Sequence, residues 1–128
     1  MVVAVTGASG YVGTRLLQNL EEEGSQRKLV AIDTSPLPFP IHNITVHRQD
    51  VTESIEEILR RNRVTALVHL AFISRRGRNR REVGSIRQAN LDALKAVLDS
   101  CLRARVRHFI YLSSHTVYGA HADNPIPL

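Results

Sequence analysis

The run Thr6-Gly7-Ala8-Ser9-Gly10-Tyr11-Val12-Gly13 constrains this chain more than any other feature, because of what flanks it. Before it, Val2-Val3-Ala4-Val5 is a short apolar, β-branched stretch of the kind that forms a buried strand. After it, Val12, Leu16, Leu17 and Leu20 recur at helical spacing, and Glu21 to Glu23 followed by Gly24 mark a helix end. In a strand–turn–helix unit the three glycines have separate tasks. Gly7 permits the sharp turn, Gly10 lacks the Cβ that would hold a pyrophosphate off the backbone, and Gly13 lets helix and strand pack closely. The helix N-terminus, at Tyr11 and Val12, then offers amide protons and a positive dipole end to phosphates, with Ser9 in the turn beside it.

A second apolar strand, Leu29-Val30-Ala31-Ile32, closes on Asp33, twenty residues past Gly13. A carboxylate at that place accepts from the ribose hydroxyls of an adenosine, so the unit predicts dinucleotide binding rather than an ordinary glycine turn. The same charge repels a 2′-phosphate, and NAD is expected rather than NADP. Arg27 and Lys28 precede the strand and are expected at its far end. No Gly-Lys-Ser/Thr follows the glycines, which excludes a P-loop.

Further elements follow in alternation. Residues 35–40, with three prolines, predict a loop. Ile44-Thr45-Val46-His47-Arg48 predicts a third strand, and Thr52 is expected to cap a helix carrying Ile55, Ile58 and Leu59, with Glu53, Glu56 and Glu57 in its early turns. Residues 66–71 predict a fourth strand and residues 75–81 an arginine-rich, mobile loop. A long helix is then expected with Ile86, Leu91, Leu94, Val97, Leu98 and Leu102 on its apolar face, before a fifth strand over residues 108–112 and a loop over 123–128. The order β-α-β-β-α-β-α-β predicts an α/β fold, a Rossmann-type doubly wound parallel sheet of five strands in the order 3-2-1-4-5. The whole chain, residues 1–128, is expected to be one NAD(P)-binding domain that stops after its fifth strand, without a C-terminal substrate-binding region.

The spacing of Gly7, Gly10 and Gly13 after Thr6 resembles the TGxxGxxG pattern of the extended short-chain dehydrogenase/reductases, the NAD-dependent epimerase/dehydratase family. Asp50 and Val51 resemble the family's adenine-holding pair, and His69-Leu70-Ala71, with Phe72 after it, resembles the fourth-strand segment whose backbone lines the cofactor. Asn90 falls where the family has an asparagine, and residues 111–119, YLSSHTVYG, are close to YxSSxxVYG. By that resemblance Ser114 is the catalytic serine, polarising the reacting oxygen of a small-molecule substrate such as a nucleotide sugar, and a homodimer is among the partners implied. The family's base is a tyrosine in YxxxK. That motif is absent: Tyr11, Tyr111 and Tyr118 are followed four residues later by Arg15, His115 and Ala122. Catalysis is therefore expected to be incomplete in this chain, and two rival readings stand beside the oxidoreductase: a non-enzymatic redox sensor and a truncated product without a function of its own.

Charge and composition bear on the remaining classes. Nine arginines lie between Arg60 and Arg87 against one acid, Glu82, but arginine outnumbers lysine fifteen to two throughout and no recognition motif accompanies the patch, so nucleic acid is not expected as a partner. Arg75 and Arg76 can be read as contacts for a substrate phosphate, with a solvated loop as the alternative. Six histidines show no metal-ligand spacing, and no metal is expected. No G-x-S-x-G surrounds Ser113 and Ser114, which excludes that class of serine hydrolase. The single cysteine, Cys101, is expected in the core. The four-residue apolar run at the N-terminus is too short for a signal peptide or membrane span, and the cytoplasm is the expected location.

Overall fold

The computed structural model describes residues 1–23, 27–75 and 77–119. Its order is β1 (Val2–Thr6), α1 (Tyr11–Glu22), β2 (Lys28–Asp33), β3 (Ile44–Arg48), α2 (Glu56–Arg61), β4 (Ala66–His69), α3 (Arg80–Ala104) and β5 (His108–Tyr111), with a single 3₁₀ turn over His115–Tyr118. The strands form one parallel sheet in the order β3-β2-β1-β4-β5, as the alternation predicts. In the central pairs Val3 lies beside Leu29 and Ala66, and Thr6 beside Ile32 and His69. All strand C-termini therefore open onto one edge of the sheet, where Gly7, Asp33 and Leu70 leave it.

Side chains alternate across the sheet, so the two faces build two cores. Ala4, Val30, Ile32 and Leu67 meet Ile55 and Leu59 near α2 and Ala93, Val97 and Cys101 of α3. Val3, Val5, Leu29, Ala31 and Ala66 meet Leu17 of α1. Leu17 is fully buried, and burial of such a side chain stabilises by about 1.5–3 kcal/mol. Burial also pushes the Cys101 thiol up to about 11, which keeps it protonated in the core. Among the described residues no helix is long and apolar enough to cross a membrane.

Several local expectations are corrected. Thr52 does not cap α2: its amide and hydroxyl both donate to Asp50 Oδ1, at 2.9 and 2.8 Å, closing a turn that precedes the helix. The helix starts at Glu56, leaving Glu53 outside it, and the Ile55 amide is taken instead by Ser100 Oγ of α3 at 3.2 Å. α1 ends at Glu22 with Glu23 as its cap, while Gly24 lies outside the described residues. Of the arginine-rich segment, Arg80 and Arg81 belong to α3, whose cap is Asn79, accepting from the Glu82 amide. Arg76, His121 and residues 123–128 lie outside the described residues.

The apolar face of α3 is also different from the expected one. Val97 and Cys101 are buried as expected, together with Ala93 and Ser100, whereas Leu91, Leu98 and Leu102 are exposed and Ile86 and Leu94 half-buried. Small side chains let this helix lie close to its neighbours, as the bond from the Ile55 amide to Ser100 requires. α3 ends at Arg105, a left-handed residue (φ 56), where the Val106 amide reaches back to Cys101 O at 2.9 Å and turns the chain into β5.

Candidate cofactor-binding cleft

The glycine turn is held by contacts that leave no room for side chains. Gly7 has φ 68, and a Cβ there would stand 2.6 Å from the Ala71 amide nitrogen. At Gly13 a Cβ would lie 2.3 Å from Gly7 O, so the first turn of α1 rests directly on the turn backbone. Gly10 differs, since its Cβ would meet only Gly7 O at 3.3 Å. It is exposed, it is the N-cap of α1, and no side chain caps the helix there. The first intrahelical bond runs from Thr14 N to Gly10 O at 2.9 Å, so the amides of Tyr11, Val12 and Gly13 precede the helical ladder. An open helix N-terminus beside a residue without a side chain fits a phosphate.

Asp33 joins this turn to the end of β2. Its Oδ2 accepts from the Ser9 amide at 3.0 Å and its Oδ1 from the Ser35 amide at 2.9 Å. A carboxylate offers about four acceptor positions, so two amides fix its orientation and leave capacity for hydroxyl donors. Asp50 is oriented by Thr52 through Oδ1 alone, and its other oxygen has no partner among the described residues.

These groups border one cleft of about 530 Å³ at the C-terminal edge of the sheet. Of the residues singled out from the sequence, Gly7, Ser9, Gly10, Asp33, Asp50, Val51, Leu70, Ala71, Phe72 and Asn90 line it. Tyr11 and Val12 expose their side chains (81% and 48%), Gly13 is buried beneath the turn, and none of the three is in the lining. Ser114 is exposed, follows β5 and does not line the cleft, and its carbonyl accepts from the Val117 amide at 3.2 Å. Asn90 has a definite second role: its side chain accepts from the Ile73 amide at 2.8 Å and donates to Ile73 O at 3.1 Å, pinning the loop after β4 to α3.

Sequence reasoning missed Thr34, Gln49 and Thr52 in the lining. Their signal was available, because each adjoins or nearly adjoins an acid at the C-terminal end of a strand, where open α/β sheets take their ligands. It also missed the buried pair of Thr6 and His69, whose side chains meet at 2.7 Å between β1 and β4. Burial depresses the His69 imidazole below its ordinary value of 6.5. In the adjoining loop, the Arg78 amide and then the Arg75 guanidinium hold the Glu82 carboxyl below the usual range. Among the described residues, no group of His, Cys, Asp and Glu is arranged to hold a metal ion.

Comparison with known proteins places this geometry. The UDP-glucose 4-epimerase of Erwinia amylovora is 26% identical over 137 aligned residues, covering 99% of this chain and 40% of that protein. Human short-chain dehydrogenase/reductase family 42E member 1 is 28% identical over 120 residues, covering 90% of this chain and 30% of its own length. Among solved structures, MoeE5 in complex with UDP-glucuronic acid and NAD superposes with a TM-score of 0.82 at 26% identity, over 100% of this chain and 43% of that one. The chain thus spans well under half the length of the relatives it matches. Residues 3–127 match the sequence profile of the NAD dependent epimerase/dehydratase family, and the chain belongs to that family.

Proposed function

We propose that this chain binds NAD and forms the cofactor-binding part of an oxidoreductase that acts on a nucleotide sugar or a similar hydroxyl or carbonyl substrate. The observation that carries the reading is Asp33, which borders the cleft between the open N-terminus of α1 and the pair Asp50 and Val51. In this reading the amides of residues 11–13 bind the pyrophosphate and Asp33 accepts from the adenosine ribose. Asp50 and Val51 hold the adenine, and residues 70–73 line the path toward the nicotinamide. The acid at residue 33 selects against a 2′-phosphate by charge. When bound, NAD supplies a hydride acceptor. Ser114 donates a hydrogen bond to the reacting oxygen of the substrate, and with no YxxxK in the chain we expect binding without turnover.

The substrate class rests on relatives, since MoeE5 was crystallised with UDP-glucuronic acid. We assign the exposed leucines of α3 to a homodimer contact, because three large apolar side chains on one helix face are costly to leave in water. Titration of the chain with NADH, followed by nucleotide fluorescence, tests the reading. It predicts saturable binding, NADPH weaker by about tenfold or more, and a loss of about tenfold or more in Asp33→Ala. Equal affinity for both nucleotides, or an unchanged Asp33→Ala, would contradict it.

A further inference from the structure

Thr6 and His69 are the last residues of β1 and β4, in register with each other. By alternation from Ala4 and Leu67, their side chains lie on the sheet face that carries α2 and α3. Both are buried, at 0% and 2% exposure, and Thr6 Oγ1 meets His69 Nδ1 at 2.7 Å. The imidazole also stacks on Phe109 and Tyr111 of β5, with ring centroids 6.2 and 5.9 Å away. Immediately beyond this pair the two chains become the two walls of the cleft, residues 7–10 on one side and 70–73 on the other. Those walls nearly touch, since a Cβ on Gly7 would strike Ala71. Asn90 fixes the far end of the second wall at Ile73, while at the near end the Leu70 amide donates to Thr6 O at 3.0 Å and the Thr6–His69 pair supplies the side-chain tie among the described residues.

We propose that Thr6 and His69 are positioning residues for the cofactor: their buried hydrogen bond sets the gap between the glycine turn and the loop after β4, and it does so with His69 neutral. The proposal rests on the NAD-binding reading above. A neutral imidazole shares one hydrogen with the threonine hydroxyl and is otherwise enclosed by aromatic rings. An imidazolium at this position is a buried charge with no acidic partner among the described residues, and it gains hydration only if the ends of β1 and β4 separate. The sign follows from the depressed value in the fold. The neutral form is the one the folded chain keeps, the unfolded chain takes up its proton near 6.5, and stability is lost as pH falls below that. Among the described residues that titrate, Tyr111 stacks on the imidazole, Cys101 lies in the core on the same sheet face, and Asp33 and Asp50 line the cleft.

The test is calorimetric titration with NAD of the wild-type chain and of Thr6→Val, Thr6→Ser, His69→Phe and His69→Gln, with circular dichroism to establish that each is folded. At about pH 7.5, Thr6→Val and His69→Phe should bind about tenfold more weakly, and Thr6→Ser and His69→Gln, which keep a hydrogen-bond partner, within about threefold of wild type. Between about pH 7.5 and about pH 5 the denaturant midpoint of the wild-type chain should fall, and that of His69→Gln should fall less. A folded Thr6→Val that binds as tightly as wild type overturns the proposal. So does a loss of stability with falling pH that is equally large in His69→Gln. Absence of NAD binding by the wild-type chain would instead overturn the binding reading itself.

Discussion

Two glycines separated by one turn of chain have opposite relations to stability and binding. A Cβ at Gly13 would lie 2.3 Å from Gly7 O, and the nearest atoms, all backbone of Gly7 and Ala8, leave nothing flexible to yield. Gly13→Ala should therefore destabilise the fold by about 1–3 kcal/mol or more, read as a lower denaturant midpoint. At Gly10 the nearest atom is 3.3 Å away and the residue is exposed. Gly10→Ala should keep a denaturant midpoint near that of wild type and lose nucleotide affinity, because the added methyl occupies the approach of the pyrophosphate. Equal effects of the two substitutions on stability would contradict this division of labour. The packing task of Gly13 was legible in the sequence, since a glycine spacing between strand and helix specifies it. The hydrogen bond between Thr6 and His69 was not. It joins residues 63 apart in sequence, and nothing local marks a threonine and a histidine at strand ends as a pair.

The strands were legible because a parallel sheet covered on both faces requires continuous apolar runs, and β1, β2 and β4 have them. The faces of α3 were legible only in part, through Val97 and Cys101. Leucines recur along it at helical spacing, yet the residues packed inward are Ala93, Val97, Ser100 and Cys101, selected by closeness of approach rather than by hydrophobicity. The start of α2 was hidden for a related reason, since the amide of its cap residue, Ile55, is satisfied by Ser100, forty-five residues on, and Thr52 turns toward Asp50 instead. The outward leucines carry a consequence at this scale. Leu98 and Leu102 lie one turn apart, exposed by 37% and 76%. We predict that the chain self-associates through this face, and that Leu98→Lys with Leu102→Glu shifts the mass by light scattering to that of a monomer with the fold intact. An unchanged mass in the double variant, or a monomeric wild type, would remove the assignment.

For the whole molecule, the topology determines where a ligand can sit. Five parallel strands in the order 3-2-1-4-5 bring four sequence-distant segments to one edge: the turn after β1, Asp33 after β2, Asp50 and Val51 after β3, and the loop after β4. That convergence was foreseeable from strand order, and the acids at the strand ends also marked their neighbours Thr34, Gln49 and Thr52, which the sequence reading passed over. The most direct test of the account is an amide-resolved NMR titration of the ¹⁵N-labelled chain with NAD. Binding of NAD at this edge should give shifts concentrated at residues 7–13, 33–34, 50–52 and 70–73, with the opposite strand ends at Lys28, Ile44, Ala66 and His108 unmoved. Shifts confined to the arginine-rich stretch around residues 75–87, or none at all in a folded chain, would contradict it.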